Sequence, residues 1–204
     1  MPASSIRPVK TIRDQIANQL RSEILAHEYE SDVPMREEAL AERFGTSRGP
    51  VRDALLQLTQ EGVLAYRPNA GVRISLPPDS ETRILLMDLR KRVELHALPR
   101  FIAGLTKEDE EALRDILETM KSACRRRAMP DIVGSDIALH RYIVRRGGSP
   151  EMEKVWMNLA VRILMAYSRL GKHMDIHKEH VRIVDAICSR ELKAASAALE
   201  SNLI

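Results

Sequence analysis

The sequence predicts a mainly α-helical protein in two parts: three helices with a small two-stranded sheet, then an all-helical bundle. Three observations carry that prediction. Apolar residues recur at helical spacing through almost every long segment. Strand signals are confined to one stretch, ending at Tyr66 to Ile74, where Pro68-Asn69-Ala70-Gly71 forms a turn-like tip. Beyond Pro77-Pro78 they vanish. The chain has 204 residues, 44% hydrophobic, 30% charged and only 3% aromatic. That composition suits a helix-rich protein long enough to bury a core. No stretch reaches the run of about 20 apolar residues needed to cross a bilayer, and the N-terminus lacks the apolar core of a signal peptide. Cys124 and Cys188 lie far apart inside helical patterns, as buried or idle thiols do. A cytoplasmic protein is expected.

Residues 1–7 carry no pattern and are expected to be disordered. Thr11 can cap a helix whose apolar positions are Ile12, Ile16, Leu20, Ile24 and Leu25. A loop from His27 to Pro34 follows. Arg36, at the start of the next helix, is a candidate phosphate contact, or simply a solvated arginine. Leu40, Ala41 and Phe44 form that helix's apolar stripe, and Gly45 ends it, because Gly takes the left-handed C-cap conformation without steric cost. Thr46 and Ser47 are good N-cap residues for a third helix, and Pro50 fits its first turn. Val51, Ala54, Leu55 and Leu58 make its buried face, which leaves Ser47, Arg48 and Arg52 on the solvent side. Arg48 and Arg52 are four apart, so they lie side by side, within reach of neighbouring phosphates or guanine edges. Glu61-Gly62-Val63-Leu64 closes this helix and begins a strand. The tip at Asn69 and Gly71 is flanked by Arg67 and Arg73, which can lie along phosphates. Helix, tight turn, helix and two-stranded wing together read as a winged helix-turn-helix, which places its last helix in the DNA major groove.

Net charge gives no shortcut to that conclusion. The chain carries +3 overall, yet residues 1–78 hold ten Lys+Arg and ten Asp+Glu. DNA affinity must come from local placement of arginines, and it should be moderate and salt-sensitive, needing two copies of the domain.

Leu76-Pro77-Pro78-Asp79-Ser80 reads as a linker, since two prolines cannot continue a strand and Asp79 or Ser80 can cap a helix. A long helix from Ile84 to Ile102 follows, interrupted near Pro99 and ended by Gly104. Thr106 and Asp109 resemble a capping box for the helix carrying Leu113, Ile116, Leu117 and Met120. That helix frays into Arg125-Arg126-Arg127. Pro130 opens a helix to about Arg146; Gly147-Gly148-Ser149-Pro150 stops it and starts another through Trp156 and Met165. A turn near Gly171 leads to a helix from Asp175 to Ser189, then a short one to Leu199. The expected divisions are residues 8–76, a linker at 77–80, and residues 81–204.

The N-terminal pattern resembles a known family. Leu40-Ala41-Glu42, Ser47-Arg48-Gly49-Pro50-Val51-Arg52-Asp53-Ala54-Leu55, Glu61-Gly62-Val63-Leu64 and Asn69-Ala70-Gly71-Val72 are similar, in order and spacing, to the winged helix-turn-helix of GntR-family bacterial transcription regulators. The helical remainder resembles that family's FCD ligand-binding domain. It does so through Leu89-Arg90 with Val93-Glu94, Asp136 with His140, Glu179-His180 with Ile183, Ala186 and Ile187, and the final Ala-rich helix. The helix count looks like the VanR-like branch.

Asp136 and His140 are four apart on a helix and can share one ion, although spacing alone favours a hydrogen-bonded pair over a metal site. The FCD resemblance implies a divalent metal (Zn, Ni or Mn) held by Asp136, His140 and His180, with Asn202 standing where a further His is expected. An amide oxygen is the weaker ligand, which leaves the cofactor open. His177 is a fallback ligand. Arg90 or Arg92 can pair with a carboxylate effector, and the FCD resemblance points to Arg90; a salt bridge explains either equally.

The resemblance implies a DNA-binding transcription regulator, a repressor, that binds a pseudo-palindromic operator as a homodimer and responds to a small metabolite, a carboxylate. Arg36, Ser47, Arg48, Arg52, Asn69 and Gly71 would contact the DNA. One alternative is a constitutive DNA-binding regulator whose ligand site has decayed. Another is a metal-dependent enzyme, but Asp175, Glu179 and Asp185 near the cluster match no catalytic signature.

Overall fold

A computed structural model of the chain describes residues 11–166 and 173–202. The expectations for residues 1–7 and for a turn near Gly171 lie outside the described residues.

Helix α1 (Ile12–Leu25) begins with a capping box in which Thr11 Oγ1 accepts from the Asp14 amide while the Asp14 carboxylate accepts from the Thr11 amide. Its apolar stripe is buried against α2 (Glu37–Phe44) and α3 (Arg48–Gln60). Gly45 holds φ +60° between these helices, as expected of a left-handed cap. Ser47 occupies the N-cap of α3 with extended backbone but makes no side-chain capping bond. Two ion pairs fix the trio: Arg21 of α1 with Glu61 at the end of α3, at 2.6 Å, and Arg43 of α2 with Glu23 of α1.

Strands β1 (Leu64–Arg67) and β2 (Gly71–Ile74) pair antiparallel, from Leu64 opposite Ile74 to Arg67 opposite Gly71. The residues just before α2 do more than loop. Asp32 and Met35 donate backbone amides to the Ile74 and Val72 carbonyls, and Ile74 donates back to Val33. The wing is thereby tied to the helices at its second strand as well as by β1.

Asp79 caps α4 (Ser80–Ala103) through the Thr82 amide. The expected interruption near Pro99 does not occur. Proline removes one backbone bond, but Leu98, Phe101 and Ile102 around it are buried, and tertiary packing carries the helix through. The bundle continues with α5 (Lys107–Arg126), α6 (Met129–Gly147), α7 (Pro150–Met165), α8 (His173–Cys188) and α9 (Leu192–Asn202). The expected fraying at Arg125–Arg127 is instead a defined stop, with Arg127 left-handed at φ 56°. Gly147 is more than a stop signal. A Cβ there would lie 2.0 Å from the Ala97 carbonyl oxygen, so α6 and α4 cross where only glycine fits.

The two parts share one core. Val133, Ile137 and Val144 of α6, with Trp156, Met157, Ala160 and Val161 of α7, belong to the same apolar cluster as Ile16, Leu20 and Leu58. Gly134 faces Ser22 so closely that a Cβ would come within 2.9 Å of its hydroxyl. The Asn158 amide nitrogen, turned towards the end of α3, donates to the Gln60 and Glu61 carbonyls at 3.1 and 3.0 Å. Arg162 donates to the Leu76 carbonyl at 2.8 Å. Bundle helix α7 therefore caps the end of α3 and grips the segment leading into the linker.

The junction of α5 and α6 gives an acid-stability prediction. Asp109 caps α5 and accepts from Tyr142 and from two nitrogens of Arg146. Burial works to raise its pKa, but these donors and the Thr106 amide outweigh it and lower the carboxyl from 3.8 to about 2. The folded-state pKa is depressed, so the group's stabilisation is complete above its unfolded pKa and fades as pH falls from about 4 towards 2. Asp109→Asn should lower the melting temperature at pH 7 and flatten its decline between pH 4 and 2. An unaltered acid limb in calorimetry would refute this.

Candidate DNA interface and bundle site

The N-terminal turn of α3 presents Ser47, Arg48 and Arg52 to solvent, with the two arginine side chains 63% and 66% exposed. Opposite them, Val51, Ala54, Leu55 and Leu58 are buried. Both arginines meet one carboxylate, Glu37 of α2. Arg52 donates through Nε and Nη2 at 3.0 Å each, and Arg48 Nη2 lies 3.4 Å away. These bonds, Arg52's first, hold the Glu37 carboxyl below its usual range, and Glu37 in turn raises Arg52. Arg36 is exposed at the N-cap of α2. At the wing tip Asn69 is left-handed at φ 62° and Gly71 at φ 73°, both exposed, so the backbone there projects without side-chain cover. Arg67 and Arg73 flank the tip and share Asp32, at 3.2 and 3.1 Å. Helix start, wing tip and Arg36 present cations and exposed backbone, the kinds of group that can meet phosphates and base edges. Glu37 and Asp32 were not foreseen as partners, because no local spacing connects them to these arginines.

In the bundle, Asp136 and His140 of α6 come together with His180 of α8, their ligand-capable atoms all within 4.8 Å of one another. Asp136 and His140 do not form the i,i+4 hydrogen-bonded pair that spacing allowed. His140 bonds instead to Glu94 of α4, its Nδ1 2.7 Å from Oε2. Glu94 is wholly buried and also accepts from Arg90 Nε and Trp156 Nε1, each at 2.7 Å. Burial alone would raise Glu94, but His140 and Arg90 outweigh it and bring its carboxyl down to about 2. Arg90 is itself buried, in this ion pair and beside the Trp156 ring. Its i,i+4 spacing from Glu94 was the signal by which the sequence could have exposed that carboxylate. His177 is outside the cluster.

Tautomers follow from the partners. The Glu94 carboxylate can only accept, so His140 Nδ1 carries a proton. The Ile176 carbonyl, 2.8 Å from His180 Nδ1, likewise fixes a proton there. Each ring then turns its Nε2 inward. His140 Nε2 faces Asn202 Oδ1 at 3.0 Å, and the Asn202 amide nitrogen is turned away, donating to Glu179. His180 Nε2 is buried and lies 3.0 Å from Asp136 Oδ1. Burial pushes the Asp136 carboxyl up, but His180, His140 and Arg90 outweigh it and hold it far below its ordinary range. With both nitrogens set against oxygens, each contact calls for a second ring proton or for a cation between ring and oxygen. The set of two imidazoles, a carboxylate and an amide oxygen fits a divalent ion. The carboxylate bonded behind His140 is the support a ligating histidine needs.

An exposed basic helix with a wing, fused to a helical bundle with an inward polar cluster, defines a DNA-binding regulator of the one-chain sensor type. Family comparison agrees. Residues 12–74 match the model for bacterial regulatory proteins of the gntR family, and residues 85–203 match the FCD domain. The chain belongs to the GntR family of transcription regulators, in its FCD-containing group. It is 24% identical over 208 residues to a probable D-xylose utilization operon transcriptional repressor of Paenarthrobacter nicotinovorans, covering 98% of this chain and 89% of that one. It is 25% identical over 183 residues to the gluconate operon transcriptional repressor of Bacillus subtilis, covering 83% and 74%. The solved structure of Escherichia coli McbR/YncC superimposes with a TM-score of 0.75 at 20% identity, over 96% of this chain and 94% of that one. The protein is a DNA-binding transcription regulator and not an enzyme. Among the described residues, no helix is long and apolar enough to cross a membrane.

Proposed function

We propose that the chain is a cytoplasmic repressor that binds its operator as a homodimer and is modulated by a small carboxylate at a metal held in the bundle. In this reading residues 8–76 bind DNA, 77–80 connect, and 81–204 sense the effector and dimerise. Arg36, Ser47, Arg48, Arg52, Asn69 and Gly71 contact the operator. Asp136, His140 and His180, with Asn202 as the weak fourth ligand, hold Zn, Ni or Mn. A metal there would supply a Lewis-acidic position for a carboxylate oxygen, and Arg90, whose charge acts on the Asp136 carboxylate, is the residue to assist. The ion pair of Arg90 with Glu94 makes that role indirect, through the shape of the site.

The observation that supports this reading is the convergence of Asp136, His140 and His180, with both inward Nε2 atoms 3.0 Å from an oxygen. Support for a dimer comes from the first half of α4, where Ile84, Leu85 and Leu89 are 66%, 59% and 40% exposed, an apolar face that a second copy would cover. A route to DNA exists in α7: Trp156 touches Glu94, and Asn158 caps α3. Effector binding acts by its differential affinity for the two dispositions of that contact.

Metal content tests the reading. Tag-free full-length protein should carry near-stoichiometric metal, and added Zn should raise its melting temperature. His140→Ala, and the volume-matched Asp136→Asn, should lose both effects. Wild-type protein that stays metal-free after incubation with Zn, Ni and Mn would overturn it.

A further inference from the structure

We infer that Glu37 is a positioning residue for operator reading: its carboxylate grips one edge of the Arg52 guanidinium and thereby aims the other edge at the DNA. The inference rests on the role of α3 as the DNA-reading helix, and it adds a residue that carries negative charge into that surface.

A guanidinium has five N–H donors arranged in a plane. Glu37 takes the side edge of Arg52, with Nε donating to Oε1 and Nη2 to Oε2, both at 3.0 Å. Three donors are left: two on Nη1 and one on Nη2. The Nη1/Nη2 end edge is a fork of two parallel N–H bonds, the shape that matches guanine O6 and N7 or two phosphate oxygens. Side-edge capture by Glu37 therefore leaves the reading edge intact. It also fixes the plane of a long side chain that would otherwise be spread over many rotamers, so less freedom is lost on binding. The same carboxylate reaches Arg48 at 3.4 Å, which couples the two candidate reading arginines, one helical turn apart, through one anchor on α2.

Fold stability does not account for this arrangement. The arginines are 63% and 66% exposed and Glu37 26%, and exposed ion pairs of this kind contribute little. A carboxylate beside the phosphates also weakens sequence-independent attraction. A group that adds little to folding and opposes non-specific binding fits a role in discrimination.

The role predicts opposite effects on specific and non-specific DNA. The probes are a duplex enriched from a random-sequence library by the full-length wild-type protein, and an alternating dI-dC polymer. Glu37→Gln keeps volume but loses charge and one of the two acceptor contacts. Glu37→Asp keeps the charge but is one methylene short of the bidentate reach. Both should lose affinity for the enriched duplex by about tenfold or more. Affinity for the polymer should rise for Glu37→Gln and hold for Glu37→Asp, at unchanged melting temperature. If Glu37→Gln strengthens both DNAs alike while Glu37→Asp changes neither, Glu37 is only an electrostatic brake and the inference is wrong. It is equally wrong if neither variant alters the ratio of the two affinities. Arg52→Ala in parallel separates the levels: if that variant retains the wild-type ratio, the reading of α3 itself fails, whereas loss in Arg52→Ala without loss in the Glu37 variants refutes only the positioning role.

Discussion

Glu94→Ala is expected to destabilise the protein by about 3–5 kcal/mol, because it leaves a buried arginine without its charge partner. Glu94 is wholly buried and is the common acceptor for Arg90, His140 and Trp156. Removing it deprives three donors at once, and the cavity left behind is too polar for apolar side chains to fill. For a chain of this length each kcal/mol corresponds to about 2–4 °C, so the melting temperature should fall by about 6–20 °C. Glu94→Gln keeps the volume and one acceptor and should cost less. Both variants also lose the bond that orients His140, and metal affinity should drop about 10–100-fold where the protein remains folded. Calorimetry and metal titration check the two effects separately. A melting temperature within about 2 °C of wild type for Glu94→Ala would mean that the three-way junction is not what holds α4, α6 and α7 together.

Arg52→Ala should cost about 1–3 kcal/mol of operator binding for each base or phosphate fork lost. A homodimer carries the substitution twice, so the summed loss is about 2–6 kcal/mol, or roughly 30-fold to 10⁴-fold in affinity. Arg48→Ala should act in the same direction. Since residues 1–78 have no net charge, few other cations compensate. The dependence of binding on salt should also become shallower, as fewer phosphates are neutralised. Fluorescence anisotropy on the enriched duplex, at several salt concentrations, measures both quantities. Unchanged affinity and slope in the Arg48/Arg52 double variant would show that another face meets DNA.

The fold was largely legible because its signals are local. Helical period, the Gly45 turn, the Thr106–Asp109 box and the Asn69 tip each depend on residues within a few positions of one another. Pro99 misled for the same reason: a local breaker was overruled by burial of Leu98, Phe101 and Ile102, which no local pattern reports. At the bundle site Asp136, His140, His180 and Asn202 could be gathered only through family resemblance. Resemblance brought in Glu94 only as a matching position; its part as the acceptor for His140, 46 positions away, and Trp156, 62 away, was not legible. The contact of Asn158 with the end of α3 was hidden likewise, because it joins two parts that a proline linker seemed to separate. Long-range polar contacts leave no period in a sequence.

Footprinting of the enriched duplex by full-length protein tests the central claim most directly. An operator-reading dimer should protect two half-sites related by a pseudo-two-fold axis, with centres about 34 Å apart, or one helical turn. The Arg48→Ala/Arg52→Ala double variant should protect neither at the same protein concentration. A single unpaired footprint, or one that survives the double replacement, would contradict the dimeric reading by α3.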